Sequence, residues 1–197
     1  MGELGATIAV CAQCDKTLTP DDRITTGDKV FCRSCYATLR QELDGAVAAM
    51  STNVNWPGAI TGALLGGIAG TLVWWGFTVL TNIAFGLIAV AIGFLVGHGT
   101  VRFSGGKRTT GLQVLAIGVS IVSFLVAVYL VNMSLVNKAL AEQGSPNRVP
   151  FPPSNPEMFF RVVGAGFGIM DVVFLAIVVY EAWKIPRPIV LPPDAAV

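Results

Sequence analysis

The chain has 197 residues, 53% of them hydrophobic and 13% charged, with a formal net charge of +1. Soluble globular domains carry about 25% charged residues, so this composition argues against a soluble enzyme, and a net charge near zero gives no bulk attraction to nucleic acid. The length holds one small head and one membrane bundle, with little room for a separate catalytic domain.

The first ten residues, MGELGATIAV, carry Glu3 and no basic segment, and their apolar run is too short for a signal peptide. The N-terminus is expected to be retained and cytoplasmic. All four cysteines follow at once: Cys11, Cys14, Cys32 and Cys35, in the pattern C-x2-C-x17-C-x2-C. Two residues between thiols let a tight turn aim both sulfurs at one ion, and two such turns complete a tetrahedral thiolate site. One structural Zn2+ per chain is the expectation, since four thiolates leave no position for water. Disulfides are disfavoured in a reducing cytoplasm. Rubredoxin-type iron usually goes with Gly after the second Cys, where Asp15 and Tyr36 stand; spacing alone admits zinc and iron. A redox CxxC lacks its βαβ surroundings.

The segment CAQCDKTLTPDDRITTGDKVFCRSCY resembles one zinc module of a LIM domain, or a related B-box-like finger. Cys11, Cys14, Cys32 and Cys35 match the ligand positions, and Leu18, Gly27, Phe31 and Tyr36 the apolar and turn positions around them. The resemblance covers one module where a full LIM domain has two. It implies a zinc-finger head over residues 1–36 with a role in protein binding. The alternative is that zinc only holds together a head too small to have a core.

Residues 37–55 read as a juxtamembrane helix and linker. Leu39, Leu43, Val47 and Met50 recur at helical spacing, and Arg40 and Asp44 stand at i, i+4. From Trp56 to Val101 there is no Lys, Arg, Asp or Glu, a stretch long enough for two spans at roughly 20 residues each. The expected fold is an all-α membrane protein. It has four transmembrane helices, over about 56–80, 81–101, 111–131 and 160–183, behind a knuckle-like zinc-finger head. Pro57 suits a first helical turn. Trp56 and the Trp74-Trp75 pair stand about 28 Å apart along a helix, close to the hydrocarbon thickness, and read as interface anchors.

Gly58, Gly62, Gly66 and Gly70 form a smooth stripe on span one, and Gly93 and Gly97 repeat the spacing on span two. Small residues let helices approach closely, so a hairpin of spans one and two is expected, or contact with another subunit. The stretch from span one to residue 116 resembles uncharacterised bacterial membrane proteins with a Gly-rich hairpin, a basic loop and a third span. That resemblance implies a multi-pass protein of the bacterial inner (cytoplasmic) membrane. Ten basic residues lie in the head, the loop after span two and the tail, against three on the other side: Lys138, Arg148 and Arg161. This bias places both termini in the cytoplasm. Two proline-rich arms, residues 145–156 and the tail 184–197, favour extended geometry and read as linkers or docking strands.

Asp171 falls near the middle of span four, where an acid costs about 2.5–3.5 kcal/mol on insertion scales and desolvation raises its pKa. Span three runs the opposite way and brings Ser120 and Ser123 to the same expected level, as hydrogen-bond partners. His98, the one histidine, is expected to be an interfacial polar group, with a haem or pigment ligand as the alternative. Nothing suggests a hydrolase, a nucleotide-binding loop or a Cys-His nucleophile, so no enzyme is expected. The reading is a non-enzymatic adaptor or accessory subunit of a larger membrane assembly, for which a respiratory or photosynthetic complex is a conceivable host. Its partners are the lipid bilayer and other membrane subunits or further copies of itself, not nucleic acid. The alternative is a small proton- or cation-coupled transporter built around Asp171.

Overall fold

The computed structural model describes residues 9–83 and 86–191. The chain divides into one unit made of the head, up to Ala49, and the tail from Ile189, and a helical unit, Met50–Pro188. The head is not helical throughout. β1 (Ala9–Val10) pairs antiparallel with β2 (Thr17–Leu18), and β3 (Arg23–Thr26) with β4 (Lys29–Cys32). Thr26 faces Lys29 across a two-residue turn whose first residue, Gly27, has φ +59°. That is the position at which a II′ hairpin turn takes glycine. β4 leads directly into α1 (Arg33–Ser51), along which Arg40 pairs with Asp44 at 3.5 Å. The head's core is Cys11, Leu18, Phe31 and Cys32, with Ala9, Val30 and Tyr36 against it.

The helical unit starts with α2 (Trp56–Thr81). Asn55 caps it, its side chain accepting the Gly58 N–H at 3.1 Å, and Pro57 occupies the first turn, where no N–H is needed. A 3-10 turn, Gly86–Ala89, leads into α3 (Val90–Phe103). Thr109 caps α4 (Thr110–Glu142), and Asn155 caps α5 (Pro156–Gly166). α6 (Ile169–Lys184) completes the unit. α2 and α6 each pack on α3 and α4, and α3 also touches α4. Trp74, Ile92, Val96, Phe124, Tyr129 and Val178 are buried between them. Large apolar side chains cover the outside as well: Leu64, Leu65, Ile68 and Leu72 on α2, Val114 and Val122 on α4, Val172 and Val173 on α6. An outer surface of this kind suits lipid rather than water.

Among the described residues, α2 and α4 are long and apolar enough to cross a membrane, and the α5–α6 pair makes a third if counted as one bent span. Four continuous spans are therefore not established. The second apolar helix, Leu87–Phe103, is shorter than a full span. α4 runs on to Glu142, eleven residues past the apolar stretch, and its 33 residues measure about 50 Å against about 30 Å of hydrocarbon. The largest departure is at the expected span four, which bends by 107° between α5 and α6. Gly164, Gly166 and Gly168 crowd the break, and each weakens a helix by about 1 kcal/mol relative to Ala. Gly168 is fully extended (φ −122°, ψ −178°).

The glycine stripe of α2 faces α3. A Cβ on Gly58 would strike the Phe103 carbonyl oxygen, one on Gly62 that of Gly99, and one on Gly66 that of Leu95; at Gly70 it would lie 2.6 Å from the Ile92 Cα. Gly93 and Gly97 do not line this seam. They admit α6, where a Cβ would meet the Val178 carbonyl and the Ile185 side chain. The α3 glycine that answers the stripe is Gly99.

The outer proline-rich arm does not stand free. Asn137 clamps Val149 at two points, donating to its carbonyl (2.9 Å) and accepting its N–H (2.7 Å). Tyr129 donates to the Pro150 carbonyl at 2.6 Å. The arm is thereby folded onto the overhanging end of α4. In the tail, Pro186 is buried and the Arg187 guanidinium lies 5.1 Å from the Trp183 ring. Residues 192–197, the end of that expected arm, lie outside the described residues.

Candidate metal centre

Two local structures bring the cysteines together. The first is the tight turn from Cys11 to Lys16. The Asp15 N–H bonds the Cys11 carbonyl (3.0 Å) and the Cys11 N–H bonds the Lys16 carbonyl (2.9 Å). Asp15 sits at φ +56°, the left-handed conformation for which glycine is the usual choice and which Asp tolerates. The second is the start of α1, where Cys32 precedes the first turn and Cys35 lies in it. The positive end of the helix dipole favours thiolates there.

The four sulfurs all lie within 4.8 Å of one another, and Cys14 and Cys32 are 3.9 Å apart. In a tetrahedral site with metal–sulfur distances of about 2.3 Å, sulfurs stand about 3.8 Å apart. The cysteines are free, with no pair at bonding distance. Cys11 and Cys32 are buried, Cys35 is partly covered and Cys14 is exposed. The donor set therefore fits a metal ion, and among the described residues it is the one cluster of its kind.

Backbone and hydroxyl donors ready this cluster for a cation. The Cys32 N–H points at the Cys11 sulfur (3.3 Å), and this bond above all lowers the Cys11 thiol from its usual 9.0 to about 6. The Ser34 hydroxyl, 3.2 Å from the Cys32 sulfur, is the main cause of a lowered Cys32 thiol, followed by the Cys35 N–H at 3.4 Å. Cys35 shares hydrogen bonds with the Cys32 and Cys14 thiols, which push it up to about 12. Two sulfurs thus favour the thiolate form, and Cys35 holds a proton that a bound metal would displace. Asp15 and Ser34 are the positions that cysteine spacing alone does not single out. The hydroxyl inside the second C-x2-C was the available signal for Ser34.

The polar residues of the helical unit do not converge as expected. Because the helix breaks before Gly168, Asp171 is in the first turn of α6, where its carboxylate accepts the Gly168 N–H at 2.8 Å. It shares a cavity of about 220 Å³ with Trp74, Asn132, Gly166 and Phe174. This places it at the Trp74–Trp75 end of the unit rather than at mid-depth. Ser120 lies twelve residues from Asn132, about 18 Å along α4. Its hydroxyl is buried without a partner among the described residues. Ser123 gives its carbonyl to the Thr71 hydroxyl (3.1 Å) and packs against Gly67. Neither serine meets Asp171. Asn132, which donates to the Val162 carbonyl at 3.0 Å, is the polar neighbour that the sequence signalled only as an amide in an apolar helix. The His98 ring packs at a tilt of 37° against Phe94, centroids 4.1 Å apart, its Nδ1–H donating to the Phe94 carbonyl at 3.0 Å.

Asp171→Ala is expected to lose the acceptor for Gly168 and lower stability by about 1 kcal/mol, while Asp171→Asn retains a side-chain oxygen and most of the stability. Thermal unfolding in detergent checks both. Equal losses would contradict the capping role.

Compared with known proteins, the chain matches no protein-family model, no curated protein and no solved structure.

Proposed function

We propose that the chain is a non-enzymatic integral membrane protein whose head holds one structural zinc and which serves as an adaptor or accessory subunit of a larger membrane assembly. One observation carries this reading: the four-sulfur cluster would saturate a tetrahedral ion, so the metal has no open position for substrate or water. Zinc suits four soft thiolates and needs no redox partner. The LIM-like or B-box-like resemblance adds a protein-binding role, and Leu39, Leu43 and Met50 stand exposed along α1 as apolar contacts for a partner. The experiment is purification of the intact protein from its native membrane after mild crosslinking. A partner in fixed stoichiometry is expected; a chain recovered only with itself would refute the adaptor.

The head is cytoplasmic in this reading, as is the C-terminus. Reporter fusions at Ser104 and at the C-terminus are expected to read inside and one at Ser154 outside. A reversal of any of the three would overturn the orientation.

A second reading, a small proton- or cation-coupled transporter, is favoured by the cavity that Asp171 and Asn132 line together with Trp74, whose buried N–H has no partner among the described residues. Asp171→Asn separates the two. The adaptor reading expects a variant that assembles and works. The transporter reading expects one that assembles and fails, since an amide carries no proton.

A further inference from the structure

The two ends of the helical unit differ in charge. At one end α3 finishes, α4 begins and α6 finishes, held together by Gln113 donating to the Trp183 carbonyl at 2.9 Å and Arg108 donating to the Ile185 carbonyl. This end gathers Arg102, Arg108, Lys184 and Arg187, with Glu181 as the acid among the described residues of the helical unit there. The other end sets Lys138, Arg148 and Arg161 against Glu142, Glu157 and Asp171. The first carries a surplus of positive charge and the second balances.

The basic end also has a cleft, of about 410 Å³, lined by His98, Arg102, Gly105, Gly106, Arg108 and Ile185. Its parts are complementary to a phosphate carrying apolar chains. Arg108 is held in place through Nη1 on the Ile185 carbonyl and through its backbone N–H on the Met50 carbonyl (3.0 Å), and its other guanidinium N–H groups have no partner among the described residues. Arg102 projects from the last turn of α3, exposed and with no carboxylate partner among the described residues. Gly105 and Gly106 turn the chain between them at φ +88° and +76°. A Cβ on Gly106 would meet nothing within 4 Å, so a bulky anion can approach the main chain. Beside the cleft the surface becomes apolar: Phe94, whose ring lies 4.1 Å from that of His98, is about half exposed.

We propose that this cleft binds the phosphodiester headgroup of an anionic phospholipid. Arg102 and Arg108 meet the phosphate oxygens, and the acyl chains run along the Phe94 side of α3. A free phosphate would satisfy the arginines and leave the apolar track unused. The inference needs the helical unit in a bilayer and is independent of the metal in the head.

The intact protein is reconstituted in phosphatidylcholine nanodiscs containing a minority of phosphatidylglycerol, and the lipids it retains on release are read by native mass spectrometry. Phosphatidylglycerol is expected to be enriched over phosphatidylcholine. Arg102→Gln is expected to reduce that enrichment about five-fold, the equivalent of about 1 kcal/mol for one basic side chain near the surface. Arg148→Gln, at the balanced end, is expected to leave it unchanged, and so is excess inorganic phosphate. Equal retention of the two lipids would overturn the proposal, as would full retention by Arg102→Gln or the same loss in Arg148→Gln. Displacement of phosphatidylglycerol by inorganic phosphate alone would assign the cleft to free phosphate instead. Among the described residues the Arg102 side chain makes no bond that holds the fold, so an unchanged melting temperature is expected in its variant.

Discussion

Cys32→Ser is expected to unfold the head and leave the helical unit folded. Apart from the cysteines, the described residues of the head bury Leu18 and Phe31, far too little apolar surface to offset the ordering of some forty residues. The metal has to supply the difference, and structural zinc in small fingers contributes about 10–16 kcal/mol. Cys32 is central to that site. Its sulfur is buried, lies 3.9 Å from that of Cys14, and accepts the Cys35 N–H at the start of α1. A serine oxygen is a harder and shorter ligand, so both metal affinity and the helix start suffer. The helical unit has its own core around Trp74, Phe124 and Tyr129, and its backbone hydrogen bonds are internal to helices. Amide hydrogen exchange on the detergent-solubilised protein measures the effect: protection vanishes over β3 and β4 and persists in α2 and α4. Protection retained over β3 and β4 in metal-free Cys32→Ser would contradict a metal-dependent head.

Gly62→Ile is expected to separate α2 from α3 and cost at least about 1–3 kcal/mol, the usual range for overpacking. The upper end is expected because the obstruction is main chain on both sides. A Cβ on Gly62 meets the Gly99 carbonyl oxygen, and a Cβ on Gly99 meets the Gly62 carbonyl oxygen. No rotamer change relieves either contact. The same substitution at Gly76, where a Cβ meets nothing within 4 Å, is the control, and Gly76→Ala is expected to stabilise slightly through helix propensity. Denaturation of the folded protein in mixed micelles, followed by Trp fluorescence, measures the difference. Comparable midpoints for the two isoleucine variants would mean that the stripe does not hold this seam.

The parts of the fold that rest on local periodicity were legible in the sequence. The C-x2-C pairs predicted a cluster because two tight turns fix the sulfurs with little help from elsewhere. The four-residue spacing of Gly58 to Gly70 predicted a close helix contact. Spacing specifies smoothness and not a partner, which is why Gly93 and Gly97 turn out to admit α6 and Gly99 answers the stripe. The break in the expected fourth span was written in Gly164, Gly166 and Gly168, but a stretch of 24 residues that is largely apolar apart from Arg161, Asp171 and Glu181 outweighs three glycines when hydropathy alone is read. That one break moves Asp171 from mid-span to a helix start and separates it from Ser120 and Ser123. The overhang of α4 was hidden for a similar reason. Residues 132–142 are more polar but still good helix formers, and Asn137 finds its partners in Val149 only after the chain has folded back.

Elemental analysis of the intact protein, purified in detergent without chelator, tests the metal-bearing head most directly. One zinc per chain is expected, with the four thiols slow to react until a strong chelator removes the metal. Iron in its place, or no metal and two disulfides among Cys11, Cys14, Cys32 and Cys35, would contradict it.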